Sequence, residues 1–128
     1  MKPLNRWFAF ADEDLLVAER AMEDGIFNQV CFHAQQGVEK CLKGFLQSHG
    51  HRVPKTHHLS ELLGLCVELE RSFGQFQEEC LLLDRYYIPT RYPDALPGTK
   101  PEGLPNRDDA AEALEILRRL RKMIAENE

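Results

Sequence analysis

The sequence predicts an all-α fold, an up-and-down helical bundle of four long helices plus a shorter one, with a long Pro-rich loop before the last helix. Apolar residues recur at alternating steps of three and four along most of the chain, and no period-two strand pattern occurs. Breakers are equally telling: Pro89, Pro93, Pro97, Pro101 and Pro105, with Gly98 and Gly103, exclude helix and central strand from one stretch. At 128 residues and 43% hydrophobic content, one domain over residues 1–128 with a single core is expected.

Leu4, Phe8, Ala11, Leu15, Ala18 and Met22 define the first helix, and Gly25 is placed to end it in the left-handed conformation. The second runs from about Phe27 to His49 and stops at Gly50, before a loop containing Pro54. Thr56 is the expected cap of the third, whose core spacing is Leu59, Leu62, Leu63, Cys66 and Leu69. A fourth is expected through Phe73, Phe76, Cys80, Leu83 and Tyr87, ending where Ile88-Pro89 forbids more helix. Asn106 caps the last, with Asp108 and Asp109 in its first turn and basic residues toward its C-terminus, matching the macrodipole.

Charge and cysteines narrow the function. A net charge of -5 argues against sequence-blind adhesion to DNA or anionic lipid, although Lys40, Lys43, Arg52 and Lys55 form one basic cluster and Arg118, Arg119, Arg121 and Lys122 another. Cys31, Cys41, Cys66 and Cys80 form no CxxC pair and fall within apolar helical patterns, which suits core thiols in a reducing cytoplasm. No signal peptide is apparent, and nothing approaches the ~18 consecutive apolar residues of a membrane span.

Two strings carry the candidate chemistry. On the second helix Cys31, Ala34, Val38, Cys41 and Phe45 share an apolar face, while His33, Gln36, Lys40 and Lys43 converge on the other. That polar stripe reads either as a solvated helix face or, with Gly37 and Gly44, as a receiver of an anion or another backbone, including a second copy at a homodimer seam. The second string, Asp84 to Asp94, packs Arg85 and Arg91 with Tyr86, Tyr87 and Tyr92 around a helix end. Guanidinium beside phenol suits a phosphate and a stacked base; alternatively, Arg91 pairs with Asp94 or Asp84 and pins the loop. His49, His51, His57 and His58 lack carboxylate or thiol partners at ligand spacing, so no metal is expected. No cofactor motif is present, and no serine sits in a nucleophile elbow.

The order of Asp14-Leu15 and Ala18, Phe32-His33-Ala34-Gln35-Gln36, Glu39-Lys40 and Lys43, His58-Leu59, Tyr87, then Thr90-Arg91-Tyr92-Pro93-Asp94 resembles the HEPN domain family over almost the whole chain. That resemblance implies a helical bundle that dimerises and a nucleotide- or RNA-binding role beside a minimal nucleotidyltransferase. The two strings together make His33, Gln36, Lys40, Lys43, Tyr87, Arg91, Tyr92 and Asp94 the candidate ligand-binding residues, with Lys40 and Lys43 meeting phosphate, Arg91 binding it bidentately, Tyr92 or Tyr87 offering a ring and Gln36 bonding a polar edge. Family ribonucleases carry Arg-x(4–6)-His in a late helix, and here no histidine follows His58. Arg52 and His57 have the spacing but flank Pro54 in a loop, so catalytic residues are not expected. A metal-independent ribonuclease toxin of a toxin-antitoxin pair is the alternative, and a structural dimeric adaptor the third.

Overall fold

The computed structural model describes residues 5–87, 98–100 and 103–127. Among them are five α-helices: α1 (Arg6–Glu23), α2 (Phe27–Ser48), α3 (Leu59–Leu69), α4 (Gln77–Asp84) and α5 (Arg107–Glu126). No strand is present among the described residues, where Lys100 and Gly103 form an isolated bridge. The all-α bundle is the one expected from the periodicity. Residues 88–97 and 101–102, which hold most of the proline-rich stretch, lie outside the described residues.

α2 is the organising element. It packs against α1 and α5 on one side and α3 and α4 on the other. Its apolar face, including Cys31, Ala34, Val38, Cys41 and Phe45, is buried as the stripe predicts. Two of its glycines have reasons inside the bundle. A Cβ on Gly37 would meet Leu117 Cδ2 of α5 at 2.6 Å, and one on Gly44 would meet the Phe8 ring of α1 at 2.7 Å. This corrects the reading of Gly37 and Gly44 as a seam for a second copy, because each is already filled by a neighbouring helix of the same chain.

Helix ends follow local chemistry where local chemistry suffices. Asn5 Oδ1 accepts from Trp7 N–H at 3.0 Å, and its Nδ2 donates to Gly44 O at 2.9 Å, so the cap of α1 also ties it to α2. Gly25 and Gly50 both take φ of 72° and close α1 and α2, with Ile26 N–H bonded to Ala21 O and His51 N–H to Leu46 O. Asn106 caps α5 in a reciprocal capping box with Asp109.

Two boundaries differ from expectation. Thr56 does not cap α3; its hydroxyl accepts from His58 N–H at 3.2 Å, and the first turn is capped from a distance by Asp84, whose carboxylate accepts from Leu59 N–H at 2.9 Å. Burial raises the Asp84 pKa, against the lowering by these backbone donors. The expected fourth helix divides into a 3₁₀ stretch, Arg71–Phe76, followed by α4, which ends three residues before Tyr87. Phe73 and Phe76 remain in the core.

Candidate functional site

The polar stripe of α2 is built around two buried carboxylates. Asp14 faces α2 from α1, where its Oδ1 lies 2.9 Å from His33 Nδ1 and its Oδ2 2.5 Å from Lys40 Nζ. Residues seven apart on a helix lie nearly above one another, so one carboxylate between the two side chains meets both. An ionised carboxylate only accepts, so His33 Nδ1 is the donor in this bond. Lys40 Nζ carries three donors, so its bond to Asp14 orients the ammonium without consuming it.

Glu39 is the second carboxylate. It accepts from Lys43 Nζ at 3.1 Å, one turn along α2, and lies 3.1 Å from His57 Nδ1 in the loop before α3. Lys43 is itself buried and sits 5.5 Å from the centre of the Trp7 ring. His57 stacks on Tyr87, ring centres 5.4 Å apart and planes 19° off parallel. A continuous chain therefore runs from Lys43 through Glu39 and His57 to Tyr87, bringing the root of the second string to the first.

Of the eight expected ligand-binding residues, His33, Gln36 and Lys40 are partly exposed on α2, and Tyr87 stacks on His57, which meets Glu39 of the same helix. Lys43 is buried rather than exposed with them. Arg91, Tyr92 and Asp94 lie outside the described residues. Gln36 Nε2 donates to Gln35 Oε1 at 2.7 Å; Gln35 is fully buried, and its own Nε2 has no partner among the described residues. A buried orphan donor costs ~1–3 kcal/mol.

Sequence reasoning does not reach Asp14, Glu39 and His57 as site residues, although two of them leave a trace. Asp14 stands at core spacing between Ala11 and Ala18, an anomalous place for an acid, and Glu39 precedes Lys43 by one turn. The second basic cluster is largely paired with carboxylates of neighbouring helices at the surface of the bundle. Arg118 meets Glu19 at 2.8 Å, Arg119 meets Glu79 at 3.2 Å and Arg121 meets Asp12 at 2.7 Å. All four cysteines are buried and free, and burial pushes the Cys31 thiol up to about 11 and those of Cys41, Cys66 and Cys80 to about 12. Among the described residues no helix is long and apolar enough to cross a membrane.

A helical bundle whose central helix turns a carboxylate-braced polar stripe outward is the class of protein these observations define. The HEPN domain family matches residues 4–127, and the chain belongs to that family. Among solved structures it is similar to ST0689, an archaeal HEPN homologue, with 29% identity over 99% of this chain and 98% of that one and a TM-score of 0.76. It is likewise similar to TT1696 from Thermus thermophilus, with 32% identity over 96% of this chain and 98% of that one and a TM-score of 0.74. No curated protein gives a significant match.

Proposed function

We propose that this HEPN-domain protein binds a nucleotide or an RNA end on the outward face of α2 and acts with a minimal nucleotidyltransferase partner in the cytoplasm, without a catalytic centre of its own. The carrying observation is Asp14, which holds His33 and Lys40 side by side. Lys40 keeps two N–H donors for a phosphate, Gln36 offers an amide edge between them, and Tyr87 on His57 supplies a ring surface for a base. Arg91, Tyr92 and Asp94 join the site in this reading by the chemistry of the second string, in which guanidinium beside phenol suits a phosphate and a stacked base. Because Asp14 and Glu39 offset Lys40 and Lys43, recognition rests on oriented donors more than on net positive charge, and affinity stays modest.

Calorimetry with ATP, GTP and a short single-stranded RNA tests this. Heat with at least one of them, reduced about tenfold or more by Lys40→Ala and by Asp14→Ala, is expected. No heat with any would remove ligand binding and leave partner docking, which co-purification with a co-expressed nucleotidyltransferase examines. Dimerisation rests on the family resemblance alone, now that Gly37 and Gly44 are filled from within, and light scattering at micromolar concentration decides it.

A second reading has one observation behind it. The Asp14–His33 pair is the arrangement that readies an imidazole as a general base, as a metal-independent ribonuclease toxin requires. Growth arrest on expression, relieved by His33→Ala, is the outcome that would favour it; harmless overexpression speaks for the binding module.

A further inference from the structure

We infer that the groove between α3 and α4 is a docking site for a cationic amphipathic helix of a partner protein. The groove encloses about 260 Å³, with Ser60, Leu63, Gly64 and Val67 of α3 on one wall, Gln77 and Leu81 of α4 on the other, and Gly74 of the 3₁₀ stretch at one end. Leu81 is 59% exposed, a large apolar side chain left at the lip. Both glycines have ordinary negative φ, and a Cβ added to either meets nothing within 4 Å. Glycine inside a helix costs stability against alanine. At Gly37 and Gly44 a close neighbour accounts for it, whereas at Gly64 nothing among the described residues does. A body from outside that must approach the α3 backbone closely accounts for it, and a helix laid lengthwise is such a body.

Charge selects the occupant. Residues 59–84 hold six carboxylates, Glu61, Glu68, Glu70, Glu78, Glu79 and Asp84, against Arg71 alone, so this segment's balance is -5, equal to the net charge of the whole chain. Glu79 is met by Arg119 from α5. Glu61 and Glu68 are exposed one turn to either side of Gly64, and Glu78 is exposed one turn before Leu81. An apolar trough with carboxylates along its rim fits a helix whose apolar stripe is flanked by lysine or arginine, and repels an acidic one. The groove shares no residue with the α2 face, so it stands apart from the ligand-binding reading.

The full-length protein is titrated into a fluorescein-labelled helical peptide with leucine on one face and lysine on the other, read by anisotropy, with a glutamate-for-lysine version as comparison. Gly64→Arg puts a long cationic side chain into the trough and takes one unit from its negative balance, its Cβ meeting no described atom within 4 Å, and Leu81→Ser removes the apolar lip. Glu112→Gln on α5 makes the same one-unit charge change elsewhere. The lysine peptide is expected to bind in the micromolar range, weaken with salt, and lose about tenfold or more with either groove variant but not with Glu112→Gln. Equal binding of the glutamate peptide, no binding of the lysine peptide, or insensitivity to both groove variants would overturn the proposal. So would a dimer that dissociates on Gly64→Arg, which would make a second copy the occupant. Nucleotide titration of Gly64→Arg is expected to match wild type, which keeps this test separate from that of the α2 face.

Discussion

Replacing glycine by alanine at Gly44 and at Gly64 changes stability in opposite directions, although both lie within helices. In an unencumbered helix the exchange stabilises by ~0.8–1.0 kcal/mol. Gly64 is unencumbered among the described residues, none of which has an atom within 4 Å of an added Cβ. At Gly44 the added carbon meets Phe8 Cε1 at 2.7 Å, Phe8 Cδ1 at 2.8 Å and Trp7 Cβ at 3.0 Å. Comfortable carbon contacts lie at about 3.5–4.0 Å, so the ring must retreat by roughly 1 Å. It has little room, being buried and covered by the Arg121 guanidinium 4.8 Å from its centre. Overpacking of this kind costs ~1–3 kcal/mol, so Gly44→Ala is expected to lose up to about 2 kcal/mol net of the propensity gain. The variants should therefore differ by about 1–3 kcal/mol, or roughly 3–5 °C per kcal/mol in Tm for a chain of this length. Urea unfolding followed by far-UV circular dichroism measures both, with the slope checked for constancy. A Gly44→Ala protein as stable as Gly64→Ala would refute the internal α1–α2 seam and return that glycine to an intermolecular role.

Three further outcomes are expected. The four thiols, raised to about 11 and about 12 by burial, should resist iodoacetamide at pH 8 in the native state and react at the rate of unfolding; rapid native labelling of any one would contradict its placement. Asp109, held below the ordinary 3.8 by its bond from the Lys100 ammonium and by the backbone N–H of Asn106, contributes stability above that value and loses it as pH falls through its lowered pKa. Asp109→Ala should flatten the acid limb of the Tm-against-pH curve, and an unchanged limb would mean the capping box does not report there. Gly98, at φ +81° and with an added Cβ falling 2.0 Å from the Asn28 carbonyl oxygen, should not accept alanine; a Gly98→Ala protein with wild-type Tm would show that the backbone there yields.

What is legible in the sequence is what local physics decides. α2 and α5 carry broad apolar stripes, and Gly50 after α2 by its φ freedom and Asn106 before α5 by its side chain each close one end within a turn, so neighbours in sequence are neighbours in the structure. The cap of α3 is illegible for the opposite reason. Its acceptor, Asp84, stands 25 residues downstream of Leu59, and only packing of α4 on α3 brings it there. The fourth helix reads as one element because Phe73 and Phe76 are three apart, a step that fits the 3.0-residue turn of a 3₁₀ helix nearly as well as the 3.6 of an α-helix.

The candidate site divides along the same line, and the division bears on how the site works. Periodicity alone puts His33, Gln36 and Lys40 on one face, since side chains on a common stripe need no tertiary information to be found. What makes that face more than a solvated surface comes from 19 and 26 residues away, in the bonds of Asp14 to His33 and Lys40. An exposed lysine on its own samples many rotamers and would lose that freedom on meeting a phosphate, at ~1–2 kcal/mol. Lys40 has already lost much of it to Asp14 in the folded chain, so a ligand meets an ammonium whose position is set. The same carboxylate lowers the local potential that attracts the ligand. Asp14→Asn therefore separates the two effects: the amide oxygen still accepts from one partner while the charge is gone. Tighter but less selective anion binding would show that Asp14 acts mainly as a counter-charge, and weaker binding that it acts mainly as an anchor.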